Sequence, residues 1–177
     1  SDSVLQSNLH IPGLVALVED KNKGINWVYT AGVSDIPNNL PMDQNYVFRI
    51  GSNTKTMVGT VLLQLVDEGM LTLEDTLSKY FPAFPRADSI TIKMLTNMSS
   101  GIYSYTETEE FFDSLTANPG KVWQPMELVN IAFLYDFYFP VGTSFYYSNT
   151  NTLIVGLLIE KLTGTTLETQ INNRIIT

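Results

Sequence analysis

Cysteine is absent from the 177 residues, and histidine occurs once, as His10. The first absence removes disulfides, thiol nucleophiles and cysteine-ligated metals from consideration, and the second removes any multi-histidine metal centre. A Ser-His-Asp triad would have to recruit His10, close to the start of the sequence. Positive charge is scarce as well. Ten Lys and Arg against eighteen Asp and Glu leave a formal net charge of −8, with no basic cluster. Phosphate binding needs concentrated positive charge, so nucleic acid is not an expected partner, and the acidity reads as a solubility feature. Long apolar runs are missing too: the uncharged stretch 56–66 is short and is interrupted by Gly59, Thr60 and Gln64, so no membrane span is expected.

What is present is an ordinary globular composition, 44% hydrophobic and 16% charged, in a chain long enough for one domain with a real core. The chain starts at Ser1 rather than methionine, which fits either a processed precursor, removal of a signal peptide included, or a trimmed piece of a longer chain. Residues 1–10 read as the tail of a polar helix. The apolar, β-branched segments 13–19 (GLVALVE) and 25–31 (INWVYTA), joined by Asp20-Lys21-Asn22-Lys23-Gly24, predict a strand pair. Residues 37–41 (PNNLP) read as a loop and 47–50 as a short extended piece. The spacing of Val58, Val61, Leu62, Leu65 and Val66 predicts a helix over 52–68, stopped by Gly69. Met57 and Leu63 widen its apolar face, as in a helix packed inside the molecule. Further helices are expected over 92–97 behind Thr91, over 125–134 with Pro125 at its first position, over 149–162 ahead of Gly164, and over 166–175. Two strands make a marginal sheet, so the sheet is either small or completed by strands beyond Thr177 in a longer parent.

Two short patterns carry chemistry. Ser52 and Lys55 are three apart at a helix start, hence on one face and one turn apart. The positive end of the helix dipole favours an anion developing at Ser52. A neutral Lys55 can take the serine proton, and neutrality requires burial or a nearby cation. The bland alternative makes Ser52 a helix cap and Lys55 a solvated surface residue. Tyr147 and Asn149 are two apart at a loop-to-helix junction, so in extended backbone they point the same way. A phenol near a lysine can pass a proton, and a carboxamide can hold a lysine and bind an amide carbonyl. Here the bland alternative is that Tyr147 packs and that Asn149 or Asn151 caps the helix.

Taken together, the segments FRIGSNTKTMVGTVLLQLVDEGMLTLEDTLSKYFP, ITIKMLTNMSSGIYSYT and FPVGTSFYYSNTNTLIVGLLIEKLTGTTLE resemble, in order and spacing, the serine β-lactamase and penicillin-binding-protein superfamily. The likeness is to the branch of D-Ala-D-Ala carboxypeptidases and class C β-lactamases, D-aminopeptidases and β-lactamase-like esterases. It runs from about residue 11 to residue 176. Tyrosine at the head of Tyr147-Ser148-Asn149 points to that branch, since class A enzymes carry Ser-Asp-Asn there.

The resemblance implies an α/β (α+β) fold, an antiparallel sheet flanked by helices plus a helical lobe, of which residues 1–177 would be the N-terminal part. Residues 1–50 would hold the N-terminal helix and strand pair, 51–148 the nucleophile helix and helical lobe, and 149–177 helices returning toward the sheet. It implies Ser52 as the acylated nucleophile, its backbone N–H as half of the oxyanion hole, and Lys55 as proton acceptor with Tyr147 as partner or principal base. Asn149 would bind the acyl-side amide of the substrate. The resemblance does not divide the work between Lys55 and Tyr147.

A third family element, Lys-Thr-Gly or His-x-Gly on a strand, is expected later in a longer parent. Lys161-Leu162-Thr163-Gly164 sits at a helix end, where both residues have capping reasons, and His10-Ile11-Pro12-Gly13 precedes the first strand. Neither is that element. Tyr103, Tyr105, Phe111 and Phe112 follow Ser99-Ser100-Gly101, a loop that approaches the active site in the family, so they are expected either to wall the substrate or to pack in the core.

The activity so implied is serine hydrolysis or transpeptidation of D-Ala-D-Ala-type peptides through an acyl-enzyme, without metal or organic cofactor. A class C-like β-lactamase or an esterase is the alternative on the same fold, and a non-catalytic module binding cell-wall peptides or another protein is the alternative of another class. Expected partners are peptidoglycan stem peptides or β-lactams, and a C-terminal fragment of the same enzyme or a second copy to complete the sheet. The family places such enzymes in the bacterial cell envelope or outside the cell.

Overall fold

The computed structural model describes residues 11–176, so the polar helix expected over 1–10 lies outside the described residues. The chain divides into two compact units, Ser1–Ile50 and Gly51–Thr177.

In the first unit, β1 (Gly13–Asp20) and β2 (Ile25–Asp35) pair antiparallel in a register running from Gly13 opposite Gly32 to Asp20 opposite Ile25. The turn between them closes because Asp20 Oδ1 accepts from the backbone N–H groups of Asn22 and Lys23, at 3.0 and 3.2 Å. An aspartate accepting from backbone two and three residues on is ordinary turn chemistry. A third strand, β3 (Leu40–Pro41), pairs with the far end of β2 and gives the order β1-β2-β3. This corrects the reading of residues 37–41 as loop alone: Leu40 and Pro41 are extended and reach the ladder through β2, which is longer than expected. The extended piece expected over 47–50 is not a strand. No described residue of this unit is buried, and Leu17 and Trp27 are 63% and 49% exposed. The sheet lacks a core of its own among the described residues.

The second unit holds the core. Helix α1 (Asn53–Asp67) buries Val58, Val61, Leu62 and Leu65. Leu63, expected to widen the apolar face, is instead half exposed, which leaves a narrower buried stripe at i, i+3, i+4, i+7. Five more helices follow: α2 (Ile92–Thr96), α3 (Glu109–Ala117), α4 (Pro125–Ala132), α5 (Asn149–Thr163) and α6 (Leu167–Ile171). A single π-type turn, Asn172–Ile176, follows α6, so the helix expected over 166–175 is shorter in its α-helical part. Helix α5 packs against α1, α2 and α4, and its Ile154, Val155, Leu158 and Ile159 meet the α1 stripe in one apolar cluster.

Local signals act as their chemistry requires. The Thr91 hydroxyl accepts from Met94 N–H to cap α2, and Thr108 caps α3 through Phe111 N–H. Gly164 closes α5 in the left-handed conformation, φ 70°. The loop from α1 to α2 is gathered by Asp75, whose Oδ2 accepts from Thr72 N–H, Lys79 Nζ and the Tyr80 hydroxyl at 3.0, 2.8 and 2.6 Å. Helix α3 was not anticipated: residues 109–117 contain Phe111 and Phe112, which fall on this helix rather than on the loop after Gly101.

Candidate active site

Ser52 stands immediately ahead of α1, its own backbone already helical at φ −70° and ψ −6°. The turn into it needs Gly51 at φ 54°, a conformation that costs an L-side chain energy and costs glycine little. The Ser52 side chain makes no capping hydrogen bond, so the reading of Ser52 as a simple helix cap does not hold. Its Oγ lies 2.6 Å from the Tyr147 hydroxyl and accepts from Lys55 Nζ at 3.1 Å. The Ser52 backbone N–H donates to no described protein acceptor, as the first N–H groups of a helix commonly do. Lys55 Nζ donates onward to Asn149 Oδ1 at 2.7 Å, and it sits 4.9 Å from the centroid of the Tyr147 ring.

The four residues expected from the sequence therefore meet in one hydrogen-bonded group within the second unit. Tyr147 and Asn149 come from the other end of that unit's chain. Between them Ser148 is extended, at φ −130° and ψ 120°, and buried, so its neighbours both turn toward Ser52 and Lys55. Asn149 begins α5 rather than capping it. Its backbone N–H donates to Ser104 Oγ at 3.1 Å, and its Nδ2 donates to Thr106 Oγ1 at 2.8 Å. Asn151 is not a cap either: it is buried and accepts from Ser100 Oγ at 2.7 Å through Oδ1.

The segment carrying Ser104 and Thr106 is laced to the start of α5 at successive positions. Thr150 Oγ1 accepts from Tyr105 N–H at 3.0 Å and donates to the Tyr103 carbonyl at 2.7 Å. Upstream, Gly101 adopts φ 80°, and a Cβ there would stand 2.6 Å from the Phe139 carbonyl oxygen, so only glycine lets the two segments close on each other. Sequence reasoning singled out neither Ser104 nor Thr106. The available signal was their alternation, Ser104-x-Thr106, ahead of a second alternation, Tyr147-x-Asn149.

The electrostatics follow from this arrangement. The Lys55 ammonium close by, first, and the Ser52 hydroxyl, second, hold the Tyr147 phenol below the usual phenol range, against a smaller opposing effect of burial. Tyr147 is 43% exposed, and no packed core holds it in place. The expected aromatic wall divides. Tyr103 stacks between Tyr135 and Tyr138, with ring centroids 4.7 and 4.6 Å away, while Tyr105 meets Phe111 edge-on and Phe112 is largely exposed on α3. The Lys161–Gly164 stretch has structural work: Lys161 Nζ donates to the Tyr80 carbonyl at 2.6 Å and Gly164 ends the helix.

A hydroxyl hydrogen-bonded to a phenol and a lysine, at the start of a helix, can be deprotonated and can attack a carbonyl. The comparison that decides the family is a match of residues 2–177 to the family model described as Beta-lactamase. The chain belongs to the beta-lactamase family. Within it the wider kinship is the serine β-lactamase/transpeptidase superfamily, and the fold is that family's antiparallel sheet with helices, here its N-terminal part. Among curated relatives, Protein flp of Staphylococcus aureus (strain NCTC 8325 / PS 47) is 30% identical over 181 residues, covering 97% of this chain and 35% of that one. Teichoic acid D-alanine hydrolase of Staphylococcus aureus is 33% identical over 110 residues, covering 62% of this chain and 27% of that one. Among solved structures, a D-stereospecific amidohydrolase from Streptomyces sp. superposes with a TM-score of 0.85 at 35% identity, covering 95% of this chain and 49% of that one. The chain thus spans about a third of the curated relative flp and about half of that solved structure.

Proposed function

We propose that Ser52 is an acylated nucleophile and that this beta-lactamase-family serine hydrolase acts on carbonyls adjoining a D-amino acid, D-Ala-D-Ala-type peptides above all. The observation that carries this reading is the unbroken run of contacts from the Tyr147 hydroxyl through Ser52 Oγ and Lys55 Nζ to Asn149 Oδ1, at 2.6, 3.1 and 2.7 Å. A binding module has no use for a serine flanked by two proton-transfer groups.

In the proposed reaction Ser52 Oγ attacks the carbonyl carbon and its proton passes to the Tyr147 and Lys55 groups that flank it. The carbonyl electrons move onto oxygen, facing the Ser52 N–H, where the helix start favours negative charge. Collapse expels the leaving amine, which takes up the proton, and leaves the acyl-enzyme ester on Ser52. Water, deprotonated by the same groups, hydrolyses that ester, or an acceptor amine takes the acyl group. One Asn149 Nδ2–H faces the amide on the acyl side. The second oxyanion donor and the groups recognising a substrate carboxylate come from a C-terminal part of a longer parent, which also supplies neighbours for β1, β2 and β3. We place that parent in the cell envelope or outside the cell, where such peptides are found. Among the described residues no helix is long and apolar enough to cross a membrane.

The names of two relatives favour a second reading on the same chemistry, in which the acyl donor is a D-amino acid amide or a D-alanyl ester. A β-lactam would then act as inhibitor or slow substrate. Turnover of the full-length protein on a D-Ala-D-Ala peptide, a D-alanine amide, a D-alanyl ester and a cephalosporin separates these. The first reading requires the peptide to have the highest kcat/KM. Covalent labelling without turnover of any of the four would contradict both.

A further inference from the structure

We propose that Thr106 is a positioning residue for this acyl-transfer site, acting through Asn149; the proposal rests on the functional reading above. A carboxamide is nearly symmetric in shape, yet its two ends do opposite things: the oxygen only accepts and the nitrogen only donates. Lys55 Nζ donates to Asn149 Oδ1 at 2.7 Å, so the site works with that oxygen, rather than Nδ2, turned to Lys55. Something must hold the other end. Thr106 Oγ1 does so, accepting from Nδ2 at 2.8 Å.

A lone threonine hydroxyl is a poor judge of amide orientation, because it can donate to an oxygen as readily as it accepts from a nitrogen. Here Thr106 is not alone. Its Oγ1 lies 2.9 Å from Ser104 Oγ, which in turn accepts the Asn149 backbone N–H at 3.1 Å. With the Thr106 proton given to Ser104, the Thr106 oxygen is left as an acceptor only, and Nδ2 rather than Oδ1 is the end of the carboxamide that suits it. The dyad thus grips Asn149 at backbone and side chain together. Ser104 is buried and its N–H donates to the Tyr138 hydroxyl at 3.1 Å, so the grip is itself anchored.

The geometry divides the two Nδ2 hydrogens. One is taken by Thr106, and the other has no protein acceptor among the hydrogen bonds of the described residues. That second N–H is the group available to an acyl-side carbonyl. Thr106 therefore sets two contacts at once, the oxygen on Lys55 and the free N–H on the substrate, without touching either reacting atom.

The test uses the full-length protein with Thr106→Val, Thr106→Ser, Asn149→Ala and the double variant Thr106→Val/Asn149→Ala. Acylation by a fluorescent penicillin should fall about 10- to 100-fold in Thr106→Val, the scale of one part-buried hydrogen bond and a misplaced contact, with little change in melting temperature. Thr106→Ser, which keeps the hydroxyl, should recover to within a few-fold of wild type. In the Asn149→Ala background, Thr106→Val should add almost nothing, because residues acting through one contact are not additive. Wild-type rates in Thr106→Val, equal losses in the Val and Ser variants, or an undiminished loss in the Asn149→Ala background would each overturn the proposal. A second measurement separates it from the functional reading. Exchange of the Asn149 side-chain amide protons, followed by NMR, should be slow in wild type and Thr106→Ser and fast in Thr106→Val. That pattern without any acylation would sink the functional reading and leave the positioning role standing; unchanged exchange in Thr106→Val would sink the positioning role whatever the rates.

Discussion

Ser52 Oγ and the Tyr147 hydroxyl lie 2.6 Å apart although 95 residues separate them in the chain. A contact so long in sequence and so short in space ties the start of α1 to the start of α5, and it couples a candidate nucleophile to a candidate acid–base group. Tyr147→Phe should lower acylation by about 10²–10⁴-fold, the usual weight of a positioned proton-transfer group. Its melting temperature should barely move, since the phenol is partly exposed and fills no cavity. The pH profile adds a sign. Lys55 and Ser52 hold the Tyr147 phenol low, so its deprotonated form is populated at lower pH than in an ordinary tyrosine. The acylation rate should therefore rise with pH along a limb whose midpoint lies below about 10, and that limb should vanish in Tyr147→Phe. A phenylalanine variant with the wild-type rate and profile would exclude Tyr147 from proton transfer.

Much of this site was legible because its parts obey short-range geometry. Ser52 and Lys55 share a helical face, and Tyr147 and Asn149 share a side of an extended junction, so each pair is visible in local spacing. That the pairs meet is a tertiary fact, which only the family resemblance anticipated. Ser104 and Thr106 escaped notice because short hydroxyl side chains outside helices serve turns, caps and sites alike. Helix α3 was missed for a related reason: none of its residues is fully buried, so no apolar period marks it, although Thr108 with Glu109 and Glu110 had the composition of a helix start. Leu40 and Pro41 are too few, and too close to Pro37, to register as a strand. Leu63 reads as core because it is apolar, but its position on α1 faces away from the buried stripe.

The Asp75 carboxylate should be a pH-dependent clamp on the loop between α1 and α2. Hydrogen bonds from Lys79, then Tyr80 and the Thr72 backbone, hold it well below the usual carboxylate range, against a smaller effect of burial. A carboxylate depressed in the folded state contributes stability that is fully present above its unfolded value near 3.9 and is lost as pH falls from there through the folded value. Asp75→Asn should cost about 1–3 kcal/mol at neutral pH, as expected for lost charge-assisted bonds, and the difference from wild type should shrink as pH drops below about 4. Melting curves recorded across about pH 2–7 check this. Equal stability of the two proteins at neutral pH would contradict the clamp.

The sheet of β1, β2 and β3 has no buried residue among those described, and it leaves the cross-strand partners Leu17 and Val28 open on one face. Three strands with an uncovered apolar face are a marginal structure and an association hazard. Residues 1–177 produced alone should be unstable or self-associating and show little turnover, and adding the C-terminal part of the parent as a second polypeptide should restore both stability and activity. Thermal unfolding, sedimentation and hydrolysis of a D-Ala-D-Ala peptide are the measurements. A cooperative monomer that turns over as fast as the full-length protein would remove the need for any such cover.

The central claim is that chemistry passes through Ser52 Oγ, and peptide mass spectrometry tests it most directly. After incubation of the full-length protein with a penicillin and rapid quenching, the peptide containing Ser52 should carry the mass of the intact drug. Ser52→Ala, which opens no core cavity, should fold as wild type does and carry no label at that peptide. An adduct on another residue of the wild-type protein, or the same labelled peptide in Ser52→Ala, would contradict the account.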